Sequence, residues 1–331
     1  MKNQGIRIFN WKNHVNVFTI FGLFAALILI NSCAQQKKQK DDVLKIFMLW
    51  DMEGTSGLFD QQRIWYWDEG VPKELGAEGC EMLTADVNTA ARAALEAGVD
   101  TLIICDTHHG GNNIIPEKLL SDPRIKFLPR SVGMENGKWR WMPYLDESVD
   151  GFMVMAHHAK AGTKGAFLPH TQNLGWEDFL INGQSIGEMG IESCYAGHWN
   201  IPVIMMSGDD YACREAEQQF PGIITVQVKK AEAFDRAAGL EPEAAYELMA
   251  AKVKEAIKKL KEGGSFTTYK PALPMTVTLK VSTPEIAQRL SDRYGAKMLD
   301  SLTLQDTVES QSDVIMWLAK TGLDMPDPTK R

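Results

Sequence analysis

No Cys-x-x-Cys pair occurs in the 331 residues, and the five cysteines stand scattered at Cys33, Cys80, Cys105, Cys194 and Cys213. That spacing excludes a zinc-finger set, and sequence alone does not choose among the pairings four or five cysteines allow. Free thiols are expected for Cys105 in a strand and Cys194 in a helix. A basic stripe is also missing: 35 Lys and Arg against 43 Asp and Glu give a formal charge of −8, with a pI near 5.5. This balance argues against a phosphate-backbone partner, so no nucleic acid is expected. No apolar run reaches the roughly 20 residues that span a bilayer comfortably, and no internal repeat is visible. What remains is a chain that is 44% hydrophobic, long enough to bury a sizeable core in one large or two modest domains.

The first 32 residues read as a leader. Lys2, Arg7 and Lys12 supply a positive start without an acid, Val17 to Ile30 form an apolar run, and Asn31-Ser32-Cys33 closes it. This is the layout of a secretory signal peptide. Leu29-Ile30-Asn31-Ser32-Cys33 resembles a bacterial lipobox, which implies cleavage before Cys33, lipid on that cysteine and an exported protein anchored to a membrane. Residues 33–42, rich in Gln and Lys, read as a polar tether. The fold is expected to start near Val43.

From there short apolar runs alternate with helical stretches, the pattern of a mostly parallel sheet flanked by helices in an α/β domain. Strands are predicted at Lys45 to Trp50, Thr101 to Cys105, Lys126 to Leu128, Gly151 to Ala156, Pro202 to Ser207 and Ile223 to Val228. Helices are predicted at Gly76 to Ala97, Gly187 to Gly197, Asp210 to Gln219 and from Pro242 to Lys261, with a hairpin turn at Asn182-Gly183. Beyond Pro274 the pattern predicts a strand at Val277 to Val281, a helix from Pro284 to Tyr294, a strand near Ser301 to Leu304 and a last helix from Thr307 to Lys320. The expected division is a catalytic α/β domain over 43–270 and a small α+β unit over 271–331.

Two features carry chemistry. Asp51-Met52-Glu53-Gly54 follows the apolar run Ile46 to Trp50. Alternation along a strand points residues i and i+2 to one face, so Asp51 and Glu53 can converge on one cation, and Gly54 allows a tight turn beside them. Carboxylates crowded at the mouth of a core are costly without a cation. Five of the seven histidines fall between His108 and His170, each at a loop or strand end. In an open α/β sheet the ligand site lies at the carboxyl edge of the strands, where Asp51, Glu53, His108 and His157 or His158 would meet. A lone histidine is more often a hydrogen-bonded core or loop residue. Two acids and two imidazoles at one edge suit Zn²⁺, or Mn²⁺ or Co²⁺ in a less selective site. The surplus of donors over one ion suggests two metals sharing a carboxylate.

Asp51-Met52-Glu53-Gly54-Thr55-Ser56-Gly57, Asp106-Thr107-His108, His158-Ala159, His170-Thr171, Ile181-Asn182-Gly183, Gly187-Glu188-Met189-Gly190 and Ser207-Gly208-Asp209-Asp210 together resemble the D-aminopeptidase family, peptidase family M55. The resemblance runs over about residues 44 to 320. It implies a dizinc centre in which Asp51 bridges, with Glu53, His108, His158 and Glu188 as the other ligands and His170 as the catalytic histidine. Glu188 would not be chosen from spacing, because a glutamate in a first helical turn usually serves the helix dipole at the surface. His157, next to a ligand in an extended strand, is expected to face the opposite way. Cys105 stands where the family has asparagine, Ala156-His157 where it has Gly-Tyr, and Pro169 where it has serine. Those departures touch the surroundings of the ligands, which tune metal-bound water and substrate choice.

The resemblance implies a metallo-aminopeptidase that hydrolyses short peptides with D-configured amino termini through a water activated by two Zn²⁺ per subunit, self-associated as a homodecameric ring with its sites on an inner channel. Two other readings stay open: a lipid-tethered peptide-binding protein without chemistry, and a metallohydrolase of another amide or ester.

Overall fold

In a computed structural model, residues 43–135 and 138–314 are described. The leader and tether expected over 1–42 lie outside them, as do residues 315–320 of the helix expected from Thr307 to Lys320; of its described residues, 309–312 form bends and a turn rather than a helix. Thr307 and Val308 themselves end a strand.

Along the chain run β1 (Lys45–Trp50), α1 (Lys73–Glu96), β2 (Thr101–Asp106), β3 (Ile125–Leu128), a hairpin of β4 (Val132–Glu135) and β5 (Lys138–Trp141), and β6 (Gly151–His157). There follow β7 (Trp176–Ile181), β8 (Gln184–Ile186), α2 (Glu188–His198), β9 (Val203–Asp209), α3 (Asp210–Gln219), β10 (Ile224–Ala233), β11 (Arg236–Gly239) and α4 (Pro242–Lys261). The chain continues through β12 (Met275–Val281), α5 (Pro284–Tyr294), β13 (Lys297–Met298) and β14 (Thr303–Val308).

The main sheet has seven strands in the order β11-β10-β9-β6-β1-β2-β3, parallel except for β11. It is the mostly parallel α/β sheet that the alternation of runs predicts. Strand β1 is interior, between β6 and β2, and buried on both sides, which is why it reads as an unbroken apolar run. Ile46, Met48 and Trp50 pack with Leu83 and Val87 of α1 and Met249 and Val253 of α4. Phe47 and Leu49 face a second core with Ile191 of α2 and Phe179, Val277 and Leu279.

Those last three residues belong to a second, five-stranded sheet ordered β13-β14-β12-β7-β8. Its strands are antiparallel, and β7 pairs with β12 from Ile181↔Val277 onward. Residues on both sides of the boundary expected at 270/271 therefore build one sheet over one core. The C-terminal segment is not self-contained, because β12 needs the 176–186 hairpin as its neighbour. Local periodicity shows where strands are but not which strands they pair with.

The order of the main sheet also locates the site. From β1 the chain adds β2 and β3 on one side and β6, β9 and β10 on the other, so the strand order reverses between β1 and β6. Ligand sites of open parallel sheets lie at such a point, outside the carboxyl ends. Register places Trp50 beside Asp106 on β2 and Met155 on β6, which carries the residues that follow each strand to one spot.

Candidate metal centre

Asp51 leaves β1 with its amide on the carbonyl of Met155 (3.0 Å), and Gly54 turns back to donate to the carbonyl of Ala156 at 2.7 Å. A Cβ on Gly54 would lie 2.5 Å from the carbonyl oxygen of His157, and one on Gly208 would lie 2.3 Å from the same atom. Two glycines thus clasp the end of β6. Ala156 there adopts φ +56°, a left-handed conformation uncommon outside glycine. Its amide is held by the Ser207 hydroxyl at 2.8 Å. Such a residue breaks the two-residue alternation of a strand, and the pairing of β6 with β9 shifts between Val154 and His157.

The consequence corrects the expectation for His157. Instead of pointing away from its neighbour, His157 joins it: Nδ1 of His157 lies 3.7 Å and Nε2 of His158 3.4 Å from the same oxygen, Oδ2 of Asp51. The two rings lie at only 29° to each other.

The other oxygen of Asp51, Oδ1, meets Nδ1 of His108 at 2.8 Å, and Oε2 of Glu53 meets that nitrogen at 3.2 Å. Glu188, on the first turn of α2, places Oε1 3.4 Å from His158 Nε2 and 3.7 Å from His170 Nε2. Its side chain is 11% exposed, so it faces the site rather than solvent. Asp51, Glu53, His108, His158, Glu188 and His170 therefore come together as one cluster. Asp106 does not join it: its carboxylate accepts from the amides of Asn113 and Ile114 and from the Asn113 side chain, which shapes the loop that carries His108.

Hydrogen bonds on the outer side of the rings fix the tautomers. Nε2 of His108 sits 3.1 Å from the carbonyl of Ile64, Nδ1 of His158 2.9 Å from that of Ala159, and Nδ1 of His170 2.9 Å from that of Leu168. A carbonyl only accepts, so each outer nitrogen carries a proton, and in the neutral ring each inner nitrogen presents a lone pair to the carboxylates. Lone pair facing lone pair is repulsive unless a cation lies between. Oε1 of Glu53 accepts from the Trp65 indole N–H at 2.7 Å, which leaves Oε2 for the centre. Glu53 Oε2, His158 Nε2 and both nitrogens of His157 are buried without a hydrogen-bond partner. Donor atoms of Asp51, Glu53 and His108, of Asp51, His157 and His158, and of Glu53, His158 and His170 each lie within 4.8 Å of one another. Buried polar atoms are rarely left orphaned, and these are of the types that bind Zn²⁺. The residues fit a metal.

The charges have a matching arrangement without an ion. Burial pushes the Asp51 carboxyl up, but the facing imidazoles of His108 and His158 outweigh it and hold the group well below the usual carboxylate range. Burial pulls His108 and His158 down, and the carboxylates facing them raise both well above the ordinary imidazole value. Protons thus occupy the place of cations, and metal binding must displace them. His157 differs: its burial dominates and lowers it.

The loop after Glu53 is held from below by two buried groups that sequence patterns do not reveal. Nζ of Lys229 donates to the carbonyls of Glu53 and Leu58, and burial lowers its pKa to about 7. Asp86 of α1 accepts from the Ser56 amide at 2.8 Å, and burial raises its pKa to about 6 from 3.8. A carboxyl shifted upward is free of penalty below the unfolded value near 3.8 and costs stability as pH rises through the folded value near 6, in all roughly 3 kcal/mol. Asp86→Asn is therefore expected to gain on the parent in urea unfolding of metal-stripped protein as pH goes from 4 to 7. A difference that stays flat over this interval would mean that Asp86 is ionised throughout.

The centre opens into a cavity of about 1000 Å³ whose walls include Trp65, Trp67, Trp141, Tyr144 and Arg130. Glu53, His108, His170 and Glu188 line it, whereas His157 and His158 lie behind the lining. His170 stacks on His158 with ring centroids 3.9 Å apart and meets Trp65 edge-on at 5.4 Å. All four described cysteines are free, three of them buried and Cys80 half-buried.

Comparison with known proteins bears on the fold and the family. The solved structure of the Zn-dependent D-aminopeptidase DppA from Bacillus subtilis, a self-compartmentalizing protease, superposes with a TM-score of 0.75 at 24% identity, over 86% of this chain and 99% of that one. The curated D-aminopeptidase of Bacillus subtilis strain 168 is 32% identical over 187 residues, 56% of this chain, and the match spans 64% of that relative's length. The D-aminopeptidase family model, peptidase M55, matches residues 44–319. A match over that much of the chain, on a sheet whose switch point gathers the expected carboxylates and imidazoles, means that this protein belongs to the D-aminopeptidase family, peptidase family M55.

Proposed function

We propose that this protein is a zinc-dependent aminopeptidase that removes D-configured amino-terminal residues from short peptides. The observation that carries the reading is the division of Asp51 between two donor sets: Oδ1 with Glu53 and His108, Oδ2 with His158 and Glu188. A carboxylate placed in this way suits a bridge between two ions. Zinc itself comes from the donor chemistry and from the likeness to an enzyme named as a Zn-dependent D-aminopeptidase.

When bound, such ions lower the pKa of a water toward neutrality and polarise a peptide carbonyl. The side chains of the chain do the rest. Glu53 is oriented by Trp65 and Glu188 by the amide of Gln172 at 2.6 Å, so the carboxylates keep one geometry. His170, the cluster's partly exposed imidazole at 14%, lines the cavity, with its Nδ1–H tied to Leu168 and its Nε2 free of that bond. That atom is placed to take a proton from the attacking water and return it to the leaving amine. Aromatic walls in a cavity of about 1000 Å³ suit a short peptide rather than a folded protein.

The test is amino-acid release from matched D-Ala and L-Ala dipeptides, with zinc supplied and then chelated. Chelator-sensitive release from the D form alone is the expected result. Release from neither, by protein shown to hold zinc, would transfer the reading to another amide or ester. We further propose that the chain self-associates, as its self-compartmentalizing relative does, and that lipid on Cys33 anchors it after export.

A further inference from the structure

One imidazole reaches Asp51 from the interior side and has no part in the mechanism above. The His157 side chain is completely buried, and neither of its nitrogens has an aligned hydrogen-bond partner. A histidine left in that state loses its hydrogen bonds to water without replacement, which is costly at each atom. Something must engage it.

Its neighbours show what. Nδ1 faces Asp51 Oδ2 at 3.7 Å, beside His158 Nε2 at 3.4 Å from the same oxygen. Donors bound to a tetrahedral Zn²⁺ at about 2.0–2.1 Å lie roughly 3.3 Å from one another, so these atoms are already near the required spacing. On the other side of the ring, Nε2 faces Oε2 of Glu192 at 3.2 Å. Glu192 sits on α2 one turn after Glu188, is 1% exposed, and that oxygen is also without an aligned partner. Carboxylate, imidazole and cation position follow in line, the order in which a carboxylate orients a metal-binding histidine.

We propose that His157 is a further ligand, through Nδ1, of the ion held by Asp51 Oδ2, His158 and Glu188, and that Glu192 positions its ring by accepting Nε2–H. This rests on the zinc-centre reading above. It makes the two positions unequal. One has four protein donors, the number of a closed site, two of which, His157 and His158, lie behind the cavity lining; the other, with Asp51 Oδ1, Glu53 and His108, has three, all of them on the lining, with room for substrate. The ion at the four-donor position is held more tightly and serves chiefly to hold Asp51 in place.

Zinc titration of the full chain against a chromophoric chelator tests this, with the visible spectrum of the Co²⁺-substituted protein as second readout. The parent is expected to take up two equivalents of unequal affinity. His157→Phe should weaken the tighter one by about 100-fold or more and change the absorption of one Co²⁺. Glu192→Gln should weaken the same equivalent by about 10-fold. A merely structural role would lower the melting temperature and leave both metal readouts as in the parent. Unchanged affinities and spectrum in folded His157→Phe overturn the proposal, and should that variant not fold, the same result in Glu192→Gln does so. A parent that takes up no zinc overturns the zinc-centre reading itself, and this inference with it.

Discussion

Asp51→Ala is expected to lose both zinc and activity, the largest effect of any single substitution in this protein. Each oxygen of Asp51 faces a different set of donors, so its removal takes one ligand from each of two positions. Binding free energies of roughly 10–16 kcal/mol for a four-ligand zinc site correspond to about 2.5–4 kcal/mol per ligand, or on the order of 10²–10³-fold in affinity. Both positions weaken together, and the remaining carboxylates and imidazoles lose the anion around which their charges balance. Hydrolysis should fall to background, and metal analysis after dialysis should find the variant depleted. Asp51→Asn separates charge from shape, since the amide fills the same space but binds zinc poorly. A zinc-replete, fully active Asp51→Ala would show that the carboxylate bridges nothing.

His170→Ala is expected to behave oppositely, keeping its zinc while turnover falls. His170 lines the cavity with Nε2 3.7 Å from Glu188, while its Nδ1 is committed to the Leu168 carbonyl. A positioned general acid or base contributes about 10²–10⁴-fold, so kcat should drop by that factor with metal content unchanged. The alternative is concrete, because the donor atoms of Glu53, His158 and His170 lie within 4.8 Å of one another. Loss of one zinc equivalent in His170→Ala would make this residue a ligand and leave the proton transfer to another group.

Much of the fold was legible from local pattern. Strand β1, helices α3, α4 and α5 and the turn at Asn182-Gly183 begin and end where apolar periodicity and turn residues place them, because each is governed by contacts only a few residues apart. The hairpin β4-β5 and the edge strand β11 carry weaker signals, being short and held by pairing rather than by a buried face. The separate C-terminal unit expected from residue 271 fails for a related reason: β12 is alternating and amphipathic in either case, and only its pairing with β7 reveals the shared sheet.

At the site the same division holds. Asp51, Glu53 and the clustered histidines announce a cation in any reading of the chain, since carboxylates next to an apolar run demand compensation. Alternation continued past Ala156 would turn His157 away from His158, and nothing about an alanine signals a positive φ. Trp65 on Glu53, Lys229 under the Glu53 carbonyl and Glu192 behind His157 are separated from their partners by 12 to 176 residues. No local rule connects them.

The amino-acid sequence determines the chemistry available here: which donor types follow which strands, the interior apolar strand, and the family to which the chain belongs. The folded structure decides how those donors are shared. Placing β6 directly against β1 and kinking it at Ala156 brings two consecutive imidazoles to one oxygen of a single carboxylate. Periodicity is a property of neighbours along the chain, whereas a metal centre is a property of neighbours in space. The close approach of Gly54 and Gly208 to the His157 carbonyl is what converts the first into the second.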